Sequence, residues 1–226
     1  MTEAAPLETL ARLLTAEAAH LCRSLAGAVV VAAAACIAGN DLGAVLRLPE
    51  AAGRRRRMVL QRGHVVELDG VSLLHLLRFA GAEPVEIGTA RETRADELAA
   101  ALAEGAAAGL FVAGAGEGGS VALPAFSWAC REAHVPSLVI ADGSLPPLAA
   151  LDAGADLVLV DPARIAAAPE AGLVLGRRDL VRACALQERG IGALVRAEEG
   201  VAAACVRAFR VAAGELAGGI AVADPG

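Results

Sequence analysis

Short, almost continuous apolar segments that recur between helix-length segments constrain the fold of this chain most strongly. Each of them is rich in Val, Ile or Leu, and polar residues seldom interrupt it. Such runs are typical of strands that are covered on both faces, as in parallel sheets. The predicted strands are residues 28–31, 58–61, 84–87, 110–113, 137–141, 157–160 and 173–175.

The segments between these strands carry apolar residues at helical spacing, and residues 7–25 predict a long amphipathic helix at the N-terminus. The alternation predicts an α/β fold, with three α/β/α layers around a mainly parallel sheet of about seven strands. No helix-length segment separates the last two predicted strands, so one of them is expected to run antiparallel. The other predicted helices are residues 71–80, 95–104, 124–134, 145–153, 178–188 and 198–217.

A length of 226 residues fits one domain with a substantial core. We therefore predict a single domain over residues 1–226. It would consist of the N-terminal helix at 7–25, a sheet core at 28–176 and C-terminal helices at 178–217.

Charge and composition argue against several classes of function. A net charge of −6 argues against nucleic acid as a partner, and the basic run from Arg54 to Arg57 is expected to be a solvated loop. The longest wholly apolar run, residues 28–38, is too short to span a bilayer, and the N-terminus lacks the pattern of a signal peptide. The five cysteines and four histidines show no metal-ligand spacing. These features predict a cytoplasmic protein with buried free thiols and no metal.

A glycine-rich segment offers one hypothesis, a dinucleotide-binding module. Residues Gly114 to Gly119 match the pattern G-x-G-x-x-G, follow a predicted strand, and precede Asp142 at the distance of a ribose-binding acid. That site requires the helix to begin inside the glycine loop, so that its N-terminus faces the pyrophosphate. Here SVAL intervenes before Pro124, which marks the first helical turn. The glycines are therefore interpreted as a flexible connection.

Five segments resemble, in order, blocks of the bacterial selenocysteine synthase (L-seryl-tRNA(Sec) selenium transferase) family. They are QRGHVVE at 61–67, GAEPVEIGT at 81–89, VPSLVIAD at 135–142, GADLV at 154–158 and PEAG at 169–172. The family blocks are SRGELVE, GAxxVEVGT, a strand of the form LPVxxD, GADxV and PQAG. The family consists of fold-type I enzymes that use pyridoxal phosphate (PLP). The resemblance spans roughly residues 8–205 and implies a truncated relative that corresponds to the large domain alone.

The same resemblance implies that the PLP chemistry is missing. The cofactor lysine of the family falls on Arg164, and the 226 residues contain no lysine. A guanidinium stays protonated and does not form a Schiff base. The polar turn that follows the family's first strand falls on residues 32–34, which are all alanine. The acid that pairs with the pyridinium is kept as Asp142, and Arg62 is also kept.

These features imply a cofactor-free, non-catalytic relative that acts as a structural or regulatory oligomer partner. In fold-type I enzymes the cofactor pocket lies at a dimer interface. The resemblance thus implies a homodimer, or a heteromer with a full-length relative, that buries helix 7–25 and the loop near Arg62. His64 is expected at the surface or in that interface, and Arg164 is expected to pair with an acid such as Asp142.

A second hypothesis, from another class, treats the former pocket as still functional. The chain would be a diverged enzyme or a binder of small anions, using four residues of the remnant pocket. These are Arg62, His64, Asp142 and Arg164.

Overall fold

A computed structural model describes residues 5–116, 118–141 and 143–218 and shows one large sheet between two layers of helices. The first half of the chain forms α1 (Pro6–Leu13), β1 (Ala18–Cys22), α2 (Leu25–Ala38), α3 (Leu42–Val45), β2 (Arg57–Gln61), β3 (Glu67–Leu68), β4 (Val71–Ser72), α4 (Leu73–Phe79) and β5 (Glu83–Ile87). The second half forms α5 (Ala95–Ala103), β6 (Ala106–Val112), α6 (Leu123–Glu132), β7 (Ser137–Ala141), α7 (Pro147–Asp152), β8 (Leu157–Val160), β9 (Gly172–Gly176), α8 (Arg178–Leu186) and α9 (Val201–Gly218).

The main sheet has seven strands in the order β1-β9-β8-β7-β6-β2-β5. The pairs from β8 to β5 are parallel, whereas β9 is antiparallel to both of its neighbours. The prediction of a mainly parallel sheet with an antiparallel strand near its end is confirmed. Because β9 alone runs in the opposite direction, the carboxyl ends of the other six strands lie at one edge of the sheet.

Alternate residues of the central strands face two different helix layers. In β7, Leu138 and Ile140 belong to the apolar cluster that contains α2, while Val139 and Ala141 belong to a cluster with α7 and α9. Every residue of β7, β8 and β9 is buried. Burial on both faces explains why these strands appear in the sequence as uninterrupted apolar runs.

The N-terminal part of the sequence prediction is wrong. The helix predicted at 7–25 ends at Leu13, Thr15 adopts a left-handed φ of 55°, and residues 18–22 form β1, which pairs with β9. The strand predicted at 28–31 lies inside α2. The sheet core therefore begins at residue 18 rather than at 28.

The physical reason for this error is the environment of α2. Thirteen of its 14 residues are buried, so the helix has no polar face to interrupt the apolar run. A buried helix and a buried strand then look alike by periodicity. The alanines favour the helix, Ser24 provides its N-cap, and Gly39 follows its end with a φ of 58°.

Three of the four arginines in the basic run at 54–57 form local ion pairs. Arg54 pairs with Asp41, Arg56 lies 3.4 Å from Glu83, and Arg57 lies 2.6 Å from Glu104. These arginines therefore do not converge on a common ligand. No helix among the described residues is both long and apolar enough to cross a membrane.

We expect the thiols to be unreactive in the folded protein. The five cysteines are free, and burial raises the pKa of each thiol, to about 12 for Cys22, Cys36 and Cys130. The nucleophilic thiolate is thus scarce at pH values near 8. A chromogenic disulfide reagent should label no cysteine in the native protein and all five after unfolding in guanidinium chloride. Rapid labelling of one native thiol would contradict this account of the core.

Candidate functional site

The candidate residues follow strands at the carboxyl edge of the sheet, the edge at which open α/β sheets usually bind ligands. Arg62 and His64 follow β2, and Arg164 follows β8. Asp142 comes directly after β7 and lies outside the described residues. The three described residues thus lie at one edge of the sheet, but each of them contacts different partners.

His64 is completely buried, and its expected location at the surface or in an interface is therefore wrong. Its Nδ1 accepts a hydrogen bond of 3.1 Å from the backbone N–H of Val112, at the end of β6. Its ring packs edge-on against Phe111, with 4.5 Å between the ring centroids. Burial lowers the pKa of His64 to about 4, so the imidazole is neutral at neutral pH.

The neighbouring Gln61 is also buried and joins the same part of the structure. Its side-chain oxygen accepts from the N–H of Val121 at 2.7 Å, and its side-chain nitrogen donates to the carbonyl of Val121 at 3.1 Å. Gln61 and His64 therefore tie the end of β2 to the end of β6 and to the segment that precedes α6. Gln61 was not among the predicted site residues, although a polar residue that ends an apolar strand is a usable signal.

The two arginines are exposed and paired locally. Arg62 lies 3.5 Å from Glu86 of β5. Arg164 lies 3.9 Å from Asp161, on its own turn, and its side chain is 58% exposed. Arg164 thus pairs with an acid, as expected, and that acid is Asp161. A contact with Asp142 lies outside the described residues, although the backbone of Arg164 does lie beside Gly143.

The turn after the first strand lies at Arg23 and Ser24, because β1 ends at Cys22 and α2 begins at Leu25. The assignment of this turn to residues 32–34 is wrong, since these alanines are buried in the middle of α2. Ser24 is polar, and its hydroxyl accepts from the N–H of Gly27 at 3.2 Å. Arg23 points to Glu198, 3.4 Å away.

A second acceptor reaches the N-terminus of α2 from a distant part of the chain. The N–H of Ala26 donates to the carboxylate of Asp69 at 3.1 Å. Asp69 and Gly70 join β3 to β4 with φ values of 52° and 78°, the conformation of a type I′ hairpin turn. The Asp-Gly pair could have indicated this hairpin from the sequence, but nothing in the sequence indicates its contact with α2.

PLP, which the family resemblance implies, does not fit the residues present. A helix N-terminus holds a phosphate through free backbone N–H groups. The N–H groups of Ala26 and Gly27 are already bonded to Asp69 and Ser24. The carboxylate of Asp69 would also repel the phosphate, and no ε-amine exists in the sequence to bind the aldehyde.

The glycine-rich segment is packed against the chain itself. α6 begins at Leu123, beyond the last glycine of the motif, so the helix N-terminus does not lie within the loop. A Cβ on Gly116 would lie 2.7 Å from Oγ of Ser120 and 3.3 Å from the ring of His64. One on Gly119 would meet the carbonyl of Arg91. These glycines permit close approach of backbone segments, and the geometry differs from that of a dinucleotide site.

Two further observations limit the chemistry available to the described residues. Within the described ranges, no group of three or more His, Cys, Asp or Glu side chains is placed to hold a metal ion. A groove of about 540 Å³ lies between α1 and α9. None of the three described residues of the remnant pocket, Arg62, His64 and Arg164, lines that groove.

Comparison with known sequences relates the chain to one enzyme family. The sequence profile of the L-seryl-tRNA selenium transferases matches residues 8–114. A 5′-C-glycyluridine monooxygenase-decarboxylase from a Streptomyces species is 34% identical over 169 residues, which are 74% of this chain and 42% of that protein. An L-seryl-tRNA(Sec) selenium transferase from Rhizobium meliloti is 29% identical over 167 residues, which are 65% of this chain and 36% of that protein. The chain thus spans half the length of such relatives or less.

Comparison with solved structures gives the same relationship. A D-glucosaminate-6-phosphate ammonia-lyase superimposes with a TM-score of 0.88 and 25% identity, over 92% of this chain and 57% of that one. A pyridoxal-5′-phosphate-dependent protein from Escherichia coli superimposes with a TM-score of 0.65 and 16% identity, over 96% of this chain and 58% of that one. The fold is that of the PLP-dependent transferases of fold type I.

We expect His64 to make the stability of the protein depend on pH. The pKa of His64 is about 4 in the folded protein, and its ordinary value is 6.5. At pH values between these two, His64 therefore binds a proton only in the unfolded chain. The free energy of unfolding should therefore fall as the pH is lowered through this window, by roughly 3 kcal/mol, since one pKa unit corresponds to about 1.4 kcal/mol.

The substitution His64→Asn removes this titration while keeping an acceptor for Val112. Denaturant unfolding of both proteins across the window should give a clearly smaller loss in the variant. His20, whose pKa burial also lowers, remains in both proteins and cancels in the comparison. Equal slopes would show that His64 is protonated in the folded state.

Proposed function

Because this chain belongs to the L-seryl-tRNA selenium transferase family, we propose that it is a cofactor-free, non-catalytic member whose role is to assemble with a second copy of itself. The observation that carries this proposal is the arginine at position 164, where the family resemblance places the cofactor lysine. No other residue of the chain can supply the missing ε-amine. The proposal places the protein in the cytoplasm, in keeping with its five free thiols.

The former site supports this proposal better than it supports a binder of small anions. Arg62 and Arg164 lie at different strands and are each paired with a carboxylate, Glu86 and Asp161. His64 is buried and neutral, with Nδ1 committed to Val112. The described residues of the remnant pocket therefore hold the edge of the sheet together and do not converge on a ligand.

The surface first expected to mediate assembly is covered by the chain itself. The apolar side of α1 packs on α9, where Leu10 lies in one cluster with Cys205, Val206 and Phe209. It is therefore unavailable to a partner.

A different apolar surface flanks the N-terminus of α2. Val71 of the β3–β4 hairpin is 41% exposed, and Leu194 is 73% exposed. The hairpin reaches α2 through the Asp69–Ala26 hydrogen bond. The segment with Leu194 reaches α2 because a Cβ on Gly27 would lie 2.9 Å from Val195. Two segments that contact the N-terminus of α2 thus each carry an exposed apolar side chain. We assign the interface to this face, and a closed two-fold dimer is the simplest assembly that buries it twice.

We expect light scattering at micromolar concentration to report about twice the chain mass of 22.6 kDa. Val71→Glu and Leu194→Glu should each shift the protein toward the monomer, because a charge would be buried in the contact. Leu148→Glu is the matched control, since Leu148 is 44% exposed on α7, which covers the opposite face of the sheet.

The wild-type protein as a monomer under these conditions would overturn the proposed self-assembly. If a full-length relative of the family co-purifies stoichiometrically with the chain in place of a second copy, the partner is a catalytic subunit and the self-assembly is wrong. Equal behaviour of all three variants would show that the interface lies elsewhere.

We expect PLP to form no covalent adduct at this site. After mixing with PLP and reduction with borohydride, intact and peptide mass spectrometry should find no adduct at position 164, because a guanidinium does not condense with the aldehyde. Arg164→Lys alone should acquire no stoichiometric adduct, because the N–H groups of Ala26 and Gly27 remain occupied. A stoichiometric adduct on that lysine would show that these groups are free to bind the phosphate.

A further inference from the structure

We infer that the carboxylate of Asp69 is an internal anion that closes the N-terminus of α2 to phosphate. The chain thus places its own carboxylate where this fold would hold the phosphate group of a cofactor. The contact joins residues far apart in the sequence, since the Ala26 N–H donates to the Asp69 carboxylate at 3.1 Å. This inference extends the proposed loss of the cofactor. Because the proposed interface flanks the same helix terminus, all proteins in its test carry Leu194→Glu, so that a second copy does not cover the site.

The hairpin that carries Asp69 is fixed at both of its ends. His64 precedes it and Leu73 follows it, and both are fully buried. Between them, the N–H of Leu73 donates to the carbonyl of Val66 at 2.9 Å, and Glu67 pairs with Ser72. Val66 and Leu68 pack against the apolar cluster that contains α2. The position of the carboxylate is therefore set by the fold, and little entropy is lost when it bonds to Ala26.

A tethered carboxylate competes strongly with a free anion. A group held by a short linker has an effective concentration in the millimolar range or above, and a fixed hairpin raises it further. Inorganic phosphate in solution must displace Asp69 before it can reach the helix. It would also be repelled by the carboxylate if that group stayed nearby. The partial positive charge of the helix terminus is thus satisfied from within the chain.

Ser24 caps the next N–H group of the same helix terminus. Its hydroxyl accepts from Gly27, and its carbonyl accepts from Ala28 as the first helical bond. Asp69 supplies a full negative charge, whereas Ser24 is a neutral acceptor. Removal of Asp69 alone should therefore free one N–H and remove the local negative charge, while Ser24 still begins the helix.

Two substitutions remove the anion and keep the turn. Asp69→Gly leaves a Gly-Gly pair, and Asp69→Asn leaves an Asn-Gly pair, and both pairs favour the type I′ turn. Asn also keeps an oxygen that can accept from Ala26, so the two variants separate the charge from the hydrogen bond. Glu67→Gln is the matched control, because it removes a carboxylate from the same hairpin at an exposed position.

The experiment titrates inorganic phosphate into each protein and uses chloride at equal ionic strength as the reference. The amide signal of Ala26 in a ¹⁵N spectrum reports binding at the residue, and the melting temperature reports stabilisation of the native state. In Asp69→Gly, phosphate should move the Ala26 signal and raise the melting temperature, with an affinity about tenfold or more above that of the wild type. In the wild type and in Glu67→Gln, both readouts should stay near their chloride values.

Each alternative result overturns the inference. If the wild type responds to phosphate as Asp69→Gly does, Asp69 does not close the site. If neither Asp69→Gly nor Asp69→Asn responds, no phosphate site lies beneath the carboxylate. If Asp69→Gly does not fold, Asp69→Asn decides the question. Its response to phosphate should be larger than that of the wild type and of Glu67→Gln, and smaller than the response expected of a fully open site. None of these readouts needs a partner, so a monomeric wild-type protein would leave this result intact.

Discussion

The complete burial of α2 is the constraint on which the rest of the structure depends. This helix lies across one face of the sheet and contacts β6, β8, β9, α4 and α8. Thirteen of its 14 residues are buried, so little of its backbone is accessible to water. The N–H groups of its first turn must therefore be satisfied by the chain. Ser24 and Asp69 perform this task, and the hairpin at 67–72 is held over the helix as a result.

At the carboxyl edge of the sheet, too, buried polar groups are satisfied by the chain itself. Gln61 and His64 are buried polar residues, and each finds partners in the backbone of another segment. Unpaired, such groups would each destabilise the fold by about 1–3 kcal/mol. At the edge that in many α/β proteins is open to a ligand, Gln61 and His64 hold neighbouring segments together through these hydrogen bonds.

Sequence patterns predicted the structure correctly where only one kind of element produces the pattern. They predicted it incorrectly where a helix and a strand produce the same pattern. The strands at 137–141 and 157–160 were predicted with the observed bounds, because four or five apolar residues between turns are too few for a buried helix. The run at 28–38 was assigned in part to a strand, because a helix without a polar face loses its period of 3.6 residues. The pairing of Arg164 with an acid was expected, and Asp161 lies on the same turn. The contacts of Arg62 with Glu86 and of His64 with Val112 were not predicted, because they depend on which strands become neighbours in the sheet.

The pairing of β1 with β9 has a consequence for how the protein is made. Ala18 is opposite Gly176, so β1 leaves the ribosome well over a hundred residues before the strand with which it forms hydrogen bonds. The apolar α2 follows β1 directly and must remain partly uncovered until β8 and β9 have been synthesised. Contacts between residues so distant in the chain form slowly, and an uncovered apolar helix is prone to aggregate in the interval. The time between the synthesis of α2 and that of β9 is therefore the stage at which this chain depends most on chaperones.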